Sequence, residues 1–275
     1  MASQNLNFHQ TFVPEGNYLS GILNIADEEE EWMDLDTISR ETGIPQGESS
    51  GKIPPHINYA KYMGLITYEM SAGKYSIHLT DLGRTVKQSD PYLRENVSVL
   101  LCHCMITREN GGASAWSFSF HRALSPANST IEVMTLVNMM QEQVSKSATR
   151  KNISPFIGSY VRGFFSSLEI LTEDKAMNTI TEHPLCYRPE LIYVYAYALY
   201  QSWDSVYRSD EITANQLHDI QFRQPFGWNE DEEYAILEHM QDHHIIRLNR
   251  QLSPYSIVRL TDTNKLLDCM YSELC

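Results

Sequence analysis

The most constraining stretch of this 275-residue chain is Thr42 to Glu69, TGIPQGESSGKIPPHINYAKYMGLITYE. Just ahead of it, Leu35-Asp36-Thr37-Ile38-Ser39 sets apolar residues at helical spacing. Gly43 ends that helix, because glycine takes the left-handed conformation of a helix end without strain. Gly47 to Gly51 form a polar turn. Pro54 and Pro55 are tolerated in the first turn of a second helix, which has no backbone N–H bonds to lose. Gly64 stops that helix, Leu65-Ile66-Thr67-Tyr68 begins a strand, and Ser71-Ala72-Gly73 turns the chain into Tyr75-Ser76-Ile77-His78-Leu79. Thr80 caps a last helix. Helix, turn, helix, hairpin and helix in this order predict a winged helix-turn-helix, whose second helix commonly enters the major groove.

The end of the chain echoes this unit. YSIHLTD at 75–81 returns as YSIVRLTD at 255–262 with one residue inserted, and MGLITYE is matched upstream by HHIIRLN. Such internal repetition has to be settled before any fold is assigned. The second unit predicts a long aromatic helix over 189–207, a short helix over 212–220 and a turn through Pro225, Gly227 and Trp228. A helix capped by Asn229 and running to His243, a hairpin and a final helix over 261–274 complete it. Between the units, Asp90-Pro91 is expected to open a helix running through Leu93, Val97, Leu100, Leu101 and Met105. Further helices are expected over 113–124, 131–144 and 153–168, with Trp116, Phe118 and Phe120 as core. The expected class is mainly α with small β-hairpins (α+β), two winged helix-turn-helix modules flanking a central helical region. The expected divisions are 1–88 for an N-terminal arm and first module, 89–185 for the centre and 186–275 for the C-terminal module.

A net charge of −14 argues against coating nucleic acid by bulk attraction. The acids are concentrated, however, in DEEEE at 27–31, read as a solvated helix end or loop, and in EDEE at 230–233. Between Glu48 and Glu69 the only charges are Lys52 and Lys61, with His56, and between Glu142 and Glu169 they are Lys146, Arg150, Lys151 and Arg162. DNA contact is expected from these two carboxylate-free windows. In the second helix, Ile53, Ile57, Ala60 and Met63 share one side, Pro55, Asn58 and Tyr62 the other, and Tyr59 and Lys61 flank them. Asn58 and Tyr62 are the expected base readers, since an amide bonds adenine bidentately. Ser49, Ser50, Lys52 and Lys61 suit phosphate, and His56 falls nearer the buried side as a structural residue. The basic linker with Lys146, Arg150 and Lys151 reads equally as a phosphate contact or as plain solvated surface. In the C-terminal unit, Glu230 to Glu233 suit the helix dipole but would meet phosphate with like charge. A protein-binding or dimerising role, giving a homo-oligomer, is expected there.

Catalytic signatures are sparse. There is no GxxxxGK[ST] loop, no GxGxxG after a strand, no GxSxG and no HExxH, and the GESSGK turn has the wrong spacing for a phosphate loop. Cys102-His103-Cys104 has no paired CxxC, and a helix sends adjacent residues to different faces, so no metal site is identified. Two-metal phosphodiester chemistry needs converging carboxylates. The residues with suitable chemistry are His9, Glu15, Asp90, Glu95 and His103, each more simply read as structural. Five irregularly spaced cysteines suit free thiols in a reducing compartment. Without a basic-then-apolar leader or an apolar run of membrane-span length, a cytoplasmic protein with no membrane contact is expected.

Several segments resemble an SspB-like bacterial family of unknown function encoded with DNA phosphorothioation and phage-defence genes. They are Phe8-His9-Gln10-Thr11-Phe12, TGIPQGESSGK at 42–52, Pro55-His56-Ile57, Tyr59 to Leu65, Leu79 to Gly83, Asp90-Pro91-Tyr92-Leu93, His103, and Gly112-Ala113 with Trp116. The likeness spans about the first 125 residues, and the remainder only in architecture. It implies a DNA-binding component of a phosphorothioation or related defence system, in its fullest form a DNA nickase dependent on Mg²⁺ or Mn²⁺. The implied partners are DNA, a cysteine desulfurase, a sulfur-transfer protein resembling PAPS reductase, and an ATPase. The commoner family pattern reads HETF where this chain has Gln10 in place of the acid, which counts against catalysis here. The alternative is a non-enzymatic DNA-binding adaptor or transcriptional regulator that recruits proteins through its C-terminal module.

Overall fold

Caps and glycine stops set the helix boundaries in the computed structural model, which describes residues 6–27, 31–47, 51–124, 129–251 and 253–272. After α1 (Gly16–Ile25), Asp34 caps α2 (Leu35–Thr42) by accepting the Thr37 N–H, and Gly43 closes it at φ 70°. α3 (Ile53–Tyr62) carries its prolines in the first turn, and Gly64 at φ 72° releases the chain into β1 (Ile66–Ser71). β2 (Lys74–Leu79) pairs antiparallel with β1 from Ile66↔Leu79 to Ser71↔Lys74, and Thr80 caps α4 (Asp81–Ser89). The centre holds α5 (Asn96–Ile106), α6 (Ser114–Phe118) continuing into a π-turn at Ser119–Ala123, β3 (Thr130–Glu132), α7 (Val133–Gln143) and α8 (Arg150–Val161). β4 (Leu171–Asp174), β5 (Thr179–Glu182) and α9 (Ile192–Asp204) follow. The chain ends with β6 (Glu211–Thr213), α10 (Ala214–Asp219), α11 (Glu230–Asp242), β7 (Ile246–Asn249), β8 (Ser256–Arg259) and α12 (Thr263–Cys269). The class is α+β, mainly helical with small antiparallel sheets.

Three expectations for the centre are corrected. It is not purely helical: β3, β5 and β4 form a three-stranded sheet, in which Ile131, expected to be helical, faces Ile180 across the ladder. The helix expected at Asp90-Pro91 begins only at Asn96. The Asp90 carboxylate accepts the Arg94 and Glu95 N–H groups and the Ser98 hydroxyl, and Leu93 takes φ 54°, which holds the segment in a turn. The helix expected over 153–168 runs from Arg150 to Val161, opened by a capping box in which Asn152 Oδ1 accepts the Thr149 N–H at 2.8 Å.

The repeat is longer than the sequence indicated. β6 adds to the second hairpin in the order β6-β8-β7, and in the first unit Met33 makes a lone antiparallel bridge to Tyr75 of β2. The C-terminal bonds of α3 and α11 also correspond one for one. Met63 bonds back to Tyr59, Gly64 to Lys61 and Leu65 to Ala60, as His243 does to His239, His244 to Gln241 and Ile245 to Met240. His244 takes φ 56° where Gly64 stands in the first copy.

One continuous apolar cluster runs from Phe8 to Met270. Aromatic α9 packs against α5 of the centre and against α11 and α12 of the C-terminal unit. No helix among the described residues is long and apolar enough to cross a membrane.

Candidate nucleic-acid interface

The N-terminal arm, residues 6–15, is built into the structure rather than draped over it. Phe8 is buried, and its ring lies 5.0 Å from Tyr59, 4.7 Å from Tyr62 and 5.9 Å from Trp116 between centroids. The Tyr59 hydroxyl donates to the Phe12 carbonyl at 2.8 Å, and the Asn152 amide donates to the Leu6 carbonyl at 3.3 Å. Val13 lies 2.9 Å from where a Cβ on Gly158 would sit, so α8 needs glycine there to approach the arm. Gln10 and Thr11 take φ 48° and 78°, which turns the chain just after His9.

His9 sits at the centre of this packing, fully buried. Its Nδ1 accepts the Thr11 N–H at 3.1 Å, which assigns the ring proton to Nε2. Burial drives its pKa down to about 4, opposed by the Asn152 and Leu6 carbonyls, so the ring is neutral near pH 7. Those carbonyls are not placed to close a hydrogen bond, and both His9 Nε2 and the neighbouring Trp116 Nε1 are buried without a partner.

The start of α3 is tied to the same arm. The Glu15 N–H donates to His56 Nε2 at 3.2 Å, and His56 Nδ1 donates to the Lys52 carbonyl at 2.7 Å. This fixes a neutral imidazole, and burial, the main cause, lowers its pKa further. Lys52 Nζ pairs with Glu15 Oε1 at 2.7 Å and lies over the Phe12 and Tyr18 rings. Its pKa is raised, first by the hydrogen bond it donates to Glu15. Lys52, expected to touch phosphate, is thus neutralised within the chain. Asn58 is committed too, with Nδ2 donating to the Pro54 carbonyl at 2.8 Å and Oδ1 accepting the Tyr68 hydroxyl at 3.0 Å. Tyr59 and Pro55, expected on the flank and the outward side, are buried. Tyr59 is covered directly by Phe8 and Phe12 of the arm. Tyr62 is half-buried against Phe8, and Lys61 is exposed with its ammonium over Tyr68. Ser49 and Ser50 lie outside the described residues.

In the second window, Lys146, Arg150 and Lys151 are exposed, while Arg162 is drawn to Glu173 at 3.6 Å. Among the described residues, no ion pair engages Lys61, Lys146, Arg150 or Lys151. Phe8 touches Tyr62 of the first window and Leu6 bonds Asn152 of the second. The arm therefore brings together two carboxylate-free windows that are distant in sequence. Nothing local in the sequence signals this, and Trp116, at the junction, reads there simply as core.

The residues with catalytic chemistry are dispersed and engaged. Glu15 holds Lys52, and the Asp90 carboxylate takes three protein donors. Glu95 stands at the N-cap of α5. His103 is fully buried, with Nδ1 on the Tyr160 hydroxyl at 2.7 Å and Nε2 on the Pro225 carbonyl at 2.8 Å, and burial lowers its pKa to about 4. Cys102 and Cys104 are buried and their thiols pushed up, mainly by that burial. Among the described residues, no three His, Cys, Asp or Glu side chains converge as a metal site.

No protein-family model matches the chain, and no curated protein does. Two solved structures share its fold. A magnesium-bound SspB crystal structure superposes with a TM-score of 0.76 and a second SspB crystal structure with 0.73. Each is 17% identical in sequence, and the match covers 100% of this chain and 88% of each SspB chain.

Proposed function

We propose that the chain is the DNA-binding component of a bacterial DNA phosphorothioation or related phage-defence system, and that it meets DNA across the arm-centred face. The observation that carries this reading is the meeting of the two carboxylate-free windows at the arm, with Lys61, Arg150 and Lys151 exposed beside it and in no ion pair among the described residues. α2, α3, the β1–β2 hairpin and α4 serve as a winged helix-turn-helix, and the repeat around α11 as its protein-binding counterpart. Because the Asn58 amide is spent inside the protein, contact is mainly with phosphate, which positions a protein without reading sequence. The likeness to the SspB structures supports the phosphorothioation setting. The partners proposed for that setting are a cysteine desulfurase, a PAPS-reductase-like sulfur-transfer protein and an ATPase.

Magnesium, which one of the SspB structures contains, does not fit the donor set here. Mg²⁺ is usually held by one or two carboxylates, and here Asp90 already takes three protein donors while Glu15 Oε1 holds Lys52. This favours the adaptor form of the proposal over a nickase, since no three His, Cys, Asp or Glu side chains converge among the described residues.

Both parts are testable on the full chain. Binding to a labelled duplex is followed by anisotropy over a salt series. The Lys61→Ala/Arg150→Ala/Lys151→Ala variant is expected to lower the slope of log affinity against log salt by ~2–3, at ~0.9 per lost phosphate contact. A Lys175→Ala/Arg208→Ala control, exposed elsewhere, keeps it. An unchanged slope in the triple variant, or an equal loss in the control, refutes the face. Supercoiled plasmid with Mg²⁺ or Mn²⁺ is expected to stay closed, and metal-dependent open circles would restore the nickase.

A further inference from the structure

The helix that repeats α3 in the second unit holds a feature the DNA reading leaves unused. His239, in the last turn of α11, and His243, at its C-cap, lie four residues apart on one face, half-exposed. Their Nε2 atoms are 3.1 Å from each other. With metal–imidazole bonds of ~2.0–2.1 Å, that spacing subtends an angle of ~100° at a shared ion, between the octahedral and tetrahedral values. His239 also has its other nitrogen occupied: Nδ1 is hydrogen-bonded to the Tyr187 hydroxyl. A phenol oxygen can accept as well as donate, so it can take an Nδ1–H when Nε2 gives its lone pair to a metal. This is the supporting contact that metal-binding histidines almost always make. The site lies at the C-terminal end of a thirteen-residue helix, where the dipole favours positive charge.

The fold does not require imidazoles at these places. The matching bonds at the ends of the two helices put His239 opposite Tyr59 and His243 opposite Met63. In the first unit both are fully buried apolar residues. In the second, the corresponding positions are half-exposed.

We propose that His239 and His243 form a binding site for one borderline divalent cation of the Zn²⁺, Ni²⁺ or Cu²⁺ class, with Tyr187 orienting His239. Imidazole donors select these ions and not Mg²⁺ or Ca²⁺. Because no third His, Cys, Asp or Glu converges among the described residues, water fills the remaining positions. Affinity in the micromolar range is expected, well below that of a closed four-ligand zinc site. The chain would then carry an ion at the end of α11 opposite its acidic start.

The test is calorimetric titration of the full chain with Zn²⁺, with Mg²⁺ run in parallel. One Zn²⁺ per chain and no Mg²⁺ uptake are expected. His239→Ala and His243→Ala should each weaken Zn²⁺ binding at least as much as the ~10–100-fold that losing a supporting contact costs, and Tyr187→Phe within that range. His244→Ala, exposed and adjacent, should bind as the parent does. A second readout needs no variant: Zn²⁺ should protect His239 and His243, but not His244 or His218, from diethyl pyrocarbonate, as mapped by mass spectrometry. Absent binding, binding that survives both histidine substitutions, or protection that does not single out this pair overturns the proposal.

Discussion

Replacing Glu182 with glutamine should raise stability by an amount that grows with pH. The side chain belongs to β5, is 1% exposed, and leaves Oε1 buried without a partner. Burial alone pushes its pKa from 4.5 up to about 8. A raised acid pKa means that the folded chain holds the proton more tightly than the unfolded one. The stability this proton contributes is intact below about pH 4.5 and is lost steadily as pH climbs to about 8. That interval is about 3.5 pH units, and at ~1.4 kcal/mol per unit the loss is at most ~5 kcal/mol. Glutamine keeps the shape of the neutral carboxyl and cannot ionise. Glu233, pushed up to about 7 mainly by burial against the opposing pull of Arg223, titrates in the same window, and His9 and His103 titrate near 4. These groups are common to both proteins and cancel in the difference. Urea unfolding of parent and variant should therefore diverge by a further ~3 kcal/mol between about pH 5 and about pH 8. Parallel stability curves, or a variant that is the less stable at the alkaline end, would refute the assignment of Glu182 as a buried neutral acid.

Two further outcomes follow from close contacts. Gly83→Ala should unfold the chain or cost more than the ~1–3 kcal/mol usual for overpacking, because a Cβ there would sit 1.8 Å from the Leu65 carbonyl oxygen. A near-normal urea midpoint would contradict the packing of α4 on the β1 entry. Tyr59→Phe should cost about 1–2 kcal/mol by orphaning the Phe12 carbonyl. Hydrogen exchange should then quicken at the arm amides of Gln10 and Phe12 but not in α9, and uniform acceleration would show that the arm is not a separately held segment.

Where backbone chemistry is local, the sequence was explicit. Gly43 and Gly64 at positive φ, the prolines opening α3, and the caps Thr80 and Asn229 were all readable, because each satisfies a need of its own helix end. The β3–β5–β4 sheet was not. Its strands are three or four residues long, too short for alternation to stand out, and they exist because Ile131 and Ile180 pair across distant parts of the chain. The turn at Asp90 was missed for a similar reason, since its carboxylate gathers donors from the next eight residues. The candidate site was legible in composition and illegible in assembly. Two windows without carboxylates were evident, but the arm that joins them works through Phe8, Trp116 and Asn152, which carry no charge. Lys52 shows the limit of counting charges, because its partner Glu15 is remote in sequence.

The two copies of the repeat show how one backbone plan is turned to different surfaces. α3 and α11 end in the same bonds, yet they begin with opposite chemistry. α3 opens on Lys52 and prolines, with an acid, Glu15, supplied to Lys52 by the arm. α11 opens on Glu230 to Glu233 behind an Asn229 capping box, and Arg223 answers two of those acids at 3.1 and 3.3 Å. The segments that lead into the two units differ as well. In the first, Phe8 and Phe12 of the arm cover Tyr59, and in the second, Tyr187 reaches the matching His239 with its hydroxyl and leaves the imidazole half-exposed. On the proposed reading, an arm that buries the helix end also aligns the basic windows beside it. The second unit, without such cover and with acids at its helix start, is unsuited to phosphate and keeps its histidine end open to other ligands. Function then divides along the repeat, because the lead-in segment, not the shared helical frame, decides which side chains each copy presents.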